Sequence, residues 1–378
     1  MTEPPPRVCV LTGAGASKPL GLPTMESLLP EGFERSLPDR SGERDVFDMA
    51  VNWAALQNPT VLDFEYVFTL VDTVARLQPS DPIAMAFAAR RKDAGAFQFK
   101  QAGGTMIEAN LDGYRKDAAA LAEKLKEVVH DQLIVRDTAR AGKLYQGLFT
   151  FLSSIVGSTG QLDLFTTNYD RGVEASYEIP AEEPAGFDFE LVRGFTQGAR
   201  ARAPQWDPGV YERPSGSRFI VKLYKLHGSL DWRRENDTVL QVAADEYVGR
   251  NVVIYPVGKP SIEEPFKTLF RFFQQRLEES DVCVVIGSSL RDEYIRRVLI
   301  ERVRTDALRL VLVDPNADQL ASLLAPDLGP DALARLVQTA NVHFGGSAEE
   351  QNDMEGKIRS AAIQAKLPPA SSDTSGSR

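Results

Sequence analysis

Short apolar runs followed by small or polar residues constrain the fold of this chain most strongly. Parallel strands that are covered on both faces read as continuous apolar segments. Their carboxyl ends meet at one edge of the sheet, where the following loops can surround a ligand. The sequence predicts six such strands, at Arg7–Leu11, Leu162–Phe165, Phe219–Tyr224, Val252–Tyr255, Val282–Ile286 and Arg309–Val313.

Helical patterns separate most of these runs. Glu264–Glu279 repeats Phe and Leu at the spacing of an amphipathic helix, and a last short strand at Asn341–Phe344 precedes Gly345-Gly346-Ser347 and a predicted capped helix. Alternation of strands and helices predicts an α/β fold with a doubly wound, mostly parallel, Rossmann-like sheet.

Roughly 140 residues separate the first two strand-like runs, far more than a simple crossover needs. We predict a helical insertion at 36–149 within a sheet domain made of 1–35 and 150–365. One face of an inserted helix is predicted from Ala118, Leu121, Leu125, Val128 and Val129.

Two further segments are predicted to lack regular structure. Prolines, glycines and arginines crowd together between Pro180 and Ser217, which indicates a long loop or lid. The tail at 366–378 is rich in Ser and Pro and is expected to be disordered.

Composition limits the classes of partner. The net charge is -10 and the pI is near 5.1, so no overall attraction to nucleic acid or an anionic membrane is expected. The two cysteines, Cys9 and Cys283, lie in apolar runs and are expected to be buried rather than metal-binding or disulfide-bonded. Neither a secretory signal nor a membrane span is expected, which favours a cytoplasmic protein.

The first candidate site is Gly13-Ala14-Gly15-Ala16-Ser17, which follows the first predicted strand. Small residues there allow a phosphate to approach backbone amides at a helix N-terminus, as in dinucleotide-binding turns. An ordinary tight turn between a strand and a helix would have similar residues.

The second candidate is Thr166-Thr167-Asn168-Tyr169-Asp170, at the end of the second strand. If the backbone is extended, Asn168 and Asp170 face the same side and together can orient a water molecule and a ribose hydroxyl. Since Asn and Asp are common in turns, an Asx turn is the alternative.

His227 precedes Gly228 after a strand-like run, a position suited to acid–base chemistry at a sheet edge. His130 is expected on a helix and His343 in a short strand, where packing or surface roles are more common. Taken alone, His227 also fits a structural role.

Two more strand ends carry candidate ligands. Gly287, Ser288 and Ser289 can donate to phosphate or ribose, and Asp314 or Asn316 can bind adenosine ribose hydroxyls. Asp314-Pro315-Asn316 also fits a plain turn.

Together, these motifs resemble the sirtuin-fold family in their order along the chain. The resemblance rests on Gly13-Ala14-Gly15-Ala16-Ser17 with Gly21-Leu22-Pro23, Thr166-Thr167-Asn168-Tyr169-Asp170, His227-Gly228 and Gly287-Ser288-Ser289. It implies a sirtuin-type sheet and roles for residues of this chain. NAD phosphates would be lined by Gly13, Ala14, Gly15 and Ser17, the nicotinamide riboside would be flanked by Asn168 and Asp170, and a ribose hydroxyl would be polarised by His227. The predicted NAD-binding set is completed by Thr167, Gly287, Ser288, Ser289, Asp314 and Asn316.

The sequence also departs from protein-deacylating sirtuins. Two cysteines cannot form their four-cysteine zinc module, Thr24-Met25-Glu26 replaces an acidic-aromatic-basic triplet, and Thr167 replaces a glutamine. The pattern is more similar to bacterial sirtuin-like NADases of antiphage defence. It therefore implies an NAD+ glycohydrolase that releases nicotinamide and ADP-ribose, with NAD as substrate and no metal.

Two other functions remain open. The same pocket would serve a non-catalytic sensor or scaffold that binds NAD or ADP-ribose, and an NAD-dependent protein deacylase is the third candidate. Resemblance to stand-alone defence effectors implies an enzyme that is inactive until triggered, a homo-oligomer, and a HerA-type ATPase as a candidate partner.

Overall fold

A computed structural model of the chain describes residues 4–39, 41–57, 63–77, 104–177, 187–196, 203–213, 218–243, 251–253, 263–305 and 308–366. The chain divides into two compact units. The first comprises Met1–Gly21, Val135–Val242 and Pro260–Arg378, and the second comprises Leu22–Ile134 and Ala243–Lys259.

The strands follow the apolar runs of the sequence. They are β1 (Val8–Thr12), β2 (Gln161–Thr166), β3 (Phe189–Val192), β4 (Phe219–Lys225), β5 (Gly228–Glu235), β6 (Thr238–Gln241), β7 (Asn251–Val253), β8 (Val282–Ile286), β9 (Arg309–Val313) and β10 (Val337–Ala340). Within the described residues, seven of them form one sheet in the order β10-β9-β8-β1-β2-β4-β3, and every neighbouring pair is parallel. From β1 the chain adds β2, β4 and β3 on one side of the sheet, and it later adds β8, β9 and β10 on the other side. The strand order therefore reverses between β1 and β8.

The helices alternate with the strands in the first unit and form a bundle in the second. They are α1 (Gly42–Gln57), α2 (Phe64–Arg76), α3 (Gly104–Leu133), α4 (Thr138–Val156), α5 (Gly172–Ala175), α6 (Phe266–Glu279), α7 (Glu293–Arg304), α8 (Ala317–Leu328), α9 (Pro330–Leu336) and α10 (Ala348–Ala365). Within the described ranges, none of them combines the length and the apolar character needed to cross a lipid bilayer.

Both faces of the parallel sheet are covered by helices. On one face, Tyr145 and Phe149 of α4 and Ile358 of α10 share an apolar core with alternate residues of the strands. On the other face, Phe273 of α6 packs edge-on against Phe165 of β2, with ring centroids 5.0 Å apart. Because each strand contributes side chains to two cores, the runs are apolar throughout. The prediction of a doubly wound parallel sheet is confirmed.

The second unit contains α1, α2 and α3, whose apolar faces pack on one another. On α3, the buried residues include four of the five predicted from the sequence, while Val128 is half-buried. These four are Ala118, Leu121, Leu125 and Val129. The first segment of the second unit ends at Ile134. The next helix, α4, begins at Thr138 and contributes its buried face to the core of the parallel sheet.

Several predicted elements differ from the structure. Phe189–Val192 forms strand β3 at the sheet edge, within the segment predicted as a loop, because it pairs with β4. The last parallel strand is Val337–Ala340 rather than Asn341–Phe344, so His343 lies in a loop. The run at Val252 yields only β7, which is not one of the seven parallel strands. Parts of the 180–217 segment, and the tail beyond Lys366, lie outside the described residues.

The predicted capped helix after Gly346 is confirmed. Ser347 and Glu350 form a capping box at the start of α10, and the Glu350 carboxylate also accepts hydrogen bonds from the backbone amide and ring of His343. Hydrogen bonds from the His343 and Ser347 amides lower the pKa of Glu350 from 4.5 to about 2. The carboxylate thus fixes the loop that joins β10 to α10.

This loop gives a prediction for stability as a function of pH. A lowered folded-state pKa contributes stability above the ordinary pKa, and that contribution is lost as pH falls toward the folded-state value. We expect Glu350→Gln to lower the thermal unfolding midpoint at pH 7. The difference from the parent chain should shrink once the pH falls below 4.5 toward about 2. Scanning fluorimetry across pH measures it.

The control is Glu349→Gln, which removes the same charge from an exposed neighbour in the first turn of α10. It should change the midpoint little. If both variants behaved alike, the helix dipole rather than the capping box would explain the stability.

Candidate active site

Three loops meet at the carboxyl edge of the sheet. In the register of the sheet, Thr12 of β1 lies beside Thr166 of β2 and Ile286 of β8. The ladder continues into the loops, because the Thr167 amide donates to the Thr12 carbonyl at 3.0 Å and the Gly13 amide donates to Ile286 at 2.9 Å. Residues 13, 167 and 287 are therefore neighbours although they are far apart in sequence.

The turn after β1 lies directly against the turn after β8. The Gly15 amide donates to the Gly287 carbonyl at 2.8 Å. A Cβ atom on Gly13 or Gly15 would lie 2.7 Å from a backbone Cα of the β8 turn, and one on Gly287 would lie 2.2 Å from the Ala16 nitrogen. Gly287 also has a positive φ of 59°. Glycine is required at all three positions by this contact between backbones.

This contact changes the expected role of the first turn. Ala14–Leu20 is a 3-10 helix, and the amides of Gly13 and Gly15 already donate to carbonyls of the β8 turn and strand. In this conformation those two amides stabilise the turn and are not available to a phosphate, whereas the glycines were expected to admit one.

Ser17 joins the first two loops. Its hydroxyl donates to Asp170 at 2.8 Å and accepts from the Asn168 side-chain amide at 3.0 Å, and all three residues are buried. The Asn168 amide nitrogen also donates to the Gly13 carbonyl at 2.9 Å. Both amide hydrogens of Asn168 are thus used, and among the described residues its carbonyl oxygen has no hydrogen-bond partner.

Asp170 has the turn geometry that the sequence left open. One carboxylate oxygen accepts from Ser17, and the other accepts from the Gly172 amide at 2.8 Å, which is an Asx turn. Both oxygens therefore have partners within the protein. Asn168 and Asp170 do converge, but they do so on Ser17 from a loop rather than from an extended strand.

Lys225 and the Tyr169 carbonyl hold this loop in place. The buried Lys225 ammonium donates to the carbonyls of Tyr169 and Asp170 and contacts Glu174 at 3.2 Å. The Tyr169 carbonyl also accepts from the Ser229 hydroxyl and the Leu230 amide. The loop of Asn168 is therefore bonded to the segment that carries His227.

His227 lies between β4 and β5 and is 3% exposed. Its Nε2 atom lies 3.1 Å from Asp292 Oδ2. Asp292 is also the N-cap of α7, since its other oxygen accepts from the Ile295 amide at 3.0 Å. Sequence reasoning missed Asp292, because its only signal was an acidic residue before an amphipathic helix.

A cavity of about 470 Å³ opens at the ends of β1, β8 and β9. Four predicted residues line it, and the lining residues that were not predicted include the basic side chains Lys18, Arg140 and His343. The predicted ones are Gly15, Gly287, Asp314 and Asn316. Asp314 also accepts from the Asn316 amide at 2.9 Å, so the plain turn is present within the cavity wall.

The remaining predicted residues lie at the same edge in different roles. The Thr167 hydroxyl donates to Thr12, the Ser288 hydroxyl accepts from Leu290, and Ser289 is exposed. Ala14 begins the 3-10 helix and is half-buried. The structure brings the predicted set to one edge but does not place all of it around one cavity.

Both cysteines are buried, as expected, and face each other as register partners on β1 and β8. The adjacent Cys9 thiol and burial raise the pKa of the Cys283 thiol. No cluster of three or more His, Cys, Asp or Glu side chains suited to a metal ion occurs in the described part of the chain.

Comparison with protein families gives one match, to the SIR2-like domain, over residues 163–343. This range contains Asn168, His227 and Gly287 but begins after the Gly13 turn. A search of curated proteins finds no significant match.

Solved structures that resemble the chain include Sir2 homologues. One is a mutant in complex with ADP-ribose, 16% identical, with a TM-score of 0.40, covering 96% of this chain and 95% of that chain. Another is a Sir2 homologue in complex with NAD, 15% identical, with a TM-score of 0.37, covering 94% and 90%.

The contact between the two turns gives a prediction for stability. Gly287→Ala combines a left-handed backbone, which costs an L-residue about 1–2 kcal/mol, with a clash that forces the backbones apart. Overpacking typically adds about 1–3 kcal/mol. We expect a markedly lower thermal unfolding midpoint, measured by scanning fluorimetry.

Gly21→Ala is the matched control in the same unit. Gly21 has a similar φ of 77°, but a Cβ there meets nothing within 4 Å. It should show only the smaller cost of left-handed strain, and equal losses for the two variants would show that the turn contact is unimportant.

Proposed function

We propose that this protein is an NAD+ glycohydrolase, in which Asn168 and His227 act on the bond between nicotinamide and ribose. The observation that carries the proposal is the connection of the two loops through the Tyr169 carbonyl, which holds Asn168 and His227 at one sheet edge. The match to a SIR2-like domain over 163–343 supports it.

Asn168 is suited to positioning water. Because Gly13 and Ser17 hold its amide hydrogens, the side chain has one orientation, and its carbonyl oxygen remains as an acceptor. An acceptor fixed in this way can take a hydrogen bond from a water molecule without first reorganising, which is how preorganised polar groups lower a barrier.

His227 is suited to act on a ribose hydroxyl. Hydrogen bonding from that hydroxyl to a neutral imidazole increases electron density on the sugar and stabilises positive charge at the anomeric carbon. Asp170 gives electrostatic support through Ser17, since its own oxygens are occupied.

The cavity at β8 and β9 is the proposed site for the ADP half of NAD. Lys18 and Arg140 offer positive charge to the pyrophosphate, which the occupied amides of the first turn do not. Asp314 and Asn316 lie where an acidic residue binds ribose hydroxyls in Rossmann-type sites.

The reaction balances without a metal or redox partner. Nicotinamide leaves with the electron pair of its bond to ribose and becomes neutral. The water oxygen then bonds to the anomeric carbon and releases one proton, so that NAD+ and water give nicotinamide, ADP-ribose and a proton.

Alanine substitution tests this assignment. Asn168→Ala and His227→Ala should each lower the rate of nicotinamide release on the order of 100-fold or more, because each removes a polar group used in the transition state. Chromatography of the products measures the rate. Asn52→Ala, on an exposed face of α1, is the matched control and should keep the parental rate.

Three outcomes separate the candidate functions. Nicotinamide release without any acylated peptide supports the hydrolase. Binding of NAD or ADP-ribose with no release would favour the sensor or scaffold, and release that strictly needs an acylated peptide would favour the deacylase. Parental rates in both alanine variants would overturn the roles of Asn168 and His227.

We also propose that the enzyme is an NAD-depleting antiphage effector of the cytoplasm that stays inactive until triggered. Unregulated NAD loss is toxic, and the resemblance to stand-alone effectors suggests a homo-oligomer with a HerA-type ATPase as the candidate trigger. Light scattering combined with the NADase assay should find an oligomer whose rate rises with the partner. A fully active monomer would contradict this.

A further inference from the structure

We propose that Asp292 is a positioning residue that holds His227 in the tautomer with a proton on Nε2, so that Nδ1 accepts the hydrogen bond of the substrate hydroxyl. The proposal rests on the glycohydrolase function proposed above, but it concerns the state of the imidazole and can be tested without turnover. Asp292 is the N-cap of α7 and follows His227 by 65 residues.

The two oxygens of Asp292 have separate partners. Oδ2 lies 3.1 Å from His227 Nε2, and Oδ1 accepts from the Ile295 amide at 3.0 Å. The cap of α7 therefore fixes the rotation of the carboxylate, and this fixed carboxylate meets the imidazole. His227 and Asp292 are both largely buried, with side chains 4% and 14% exposed.

Asp292 is ionised at neutral pH. Burial opposes ionisation, but the hydrogen bonds from His227 and from the Ile295 and Tyr294 amides outweigh it and lower the pKa of Asp292. An ionised carboxylate has no proton to donate, so the short contact requires Nε2 to be the donor.

The tautomer decides what the imidazole can do. In a neutral imidazole, one nitrogen carries the proton and the other carries the lone pair. With Nε2 as donor, Nδ1 is the acceptor, and among the described residues no hydrogen bond to Nδ1 is present. Nδ1 is the atom left for the ribose hydroxyl.

Asp292→Asn tests the tautomer with little change in shape. The Ile295 amide needs an acceptor, so the Asn carbonyl oxygen takes the place of Oδ1 and the NH2 group faces His227. Two donors cannot face each other, so Nε2 must lose its proton and Nδ1 must carry it. We expect kcat for nicotinamide release to fall on the order of 100-fold or more, with a much smaller change in KM.

Asp292→Ser is the matched comparison. Ser is an equally good N-cap, so α7 keeps its start, but the shorter side chain cannot reach His227. The imidazole then samples both tautomers, and a productive fraction remains. We expect Asp292→Ser to be more active than Asp292→Asn, although Asn is the closer mimic of Asp.

Nitrogen-15 spectra of histidine-labelled protein report the tautomer directly. The chain has three histidines, so the His227 signals are those missing from His227→Ala. We expect a proton on Nε2 in the parent chain and on Nδ1 in Asp292→Asn. The thermal unfolding midpoint of each variant shows whether the N-cap of α7 is retained.

The results separate this proposal from the proposed function. If the expected tautomers are found but neither the parent protein nor any variant cleaves NAD, the positioning role of Asp292 is supported and the hydrolase assignment fails. A proton on Nδ1 in the parent chain would overturn the proposal. The proposal would also be overturned if Asp292→Asn and Asp292→Ser lost equal amounts of kcat and equal amounts of stability. That result would show that Asp292 acts only as the cap of α7.

Discussion

The contact between the turns after β1 and β8 is the constraint on which the site depends. Parallel strands bring these turns to the same edge, but only glycine at 13, 15 and 287 lets their backbones approach to hydrogen-bonding distance. This contact lies where the strand order of the sheet reverses, which is the usual position of the ligand crevice in such folds. It also fixes Ser17, from which the orientation of Asn168 follows.

Lys225 and its partners, next to the loop that carries Asn168, are arranged so that the free-energy cost of burying the charge is limited. Lys225 lies between two carbonyls and Glu174, so its charge is surrounded by acceptors. Removing one partner of such a pair typically costs about 3–5 kcal/mol, because the other charge remains buried. The same Lys225 cation and the Tyr169 carbonyl connect the loops of Asn168 and His227. Stability of the unit and geometry of the site therefore depend on the same contacts.

The sequence was informative where both faces of an element are buried. The central strands and α6 could be predicted, because their apolar runs and amphipathic spacing are unbroken. The edge strands were missed, since Phe189–Val192 and Val337–Ala340 include polar residues that the edge tolerates. Asn168 and His227 follow strands and could be singled out, whereas the partnership of Asp292 with His227 joins residues distant in sequence and needs the fold.

The electrostatics of the site differ from those of the chain as a whole. A net charge of -10 opposes binding of an anionic dinucleotide at long range, but such fields are screened within about 10 Å at moderate salt. Lys18 and Arg140 lie on the cavity wall itself, so they would be well inside this screening distance of a phosphate bound there. The Asp292 carboxylate lies 3.1 Å from the His227 ring. In the proposed reaction, this separation would put the cations beside the pyrophosphate and the carboxylate on the side of the sugar, where positive charge would develop as nicotinamide leaves.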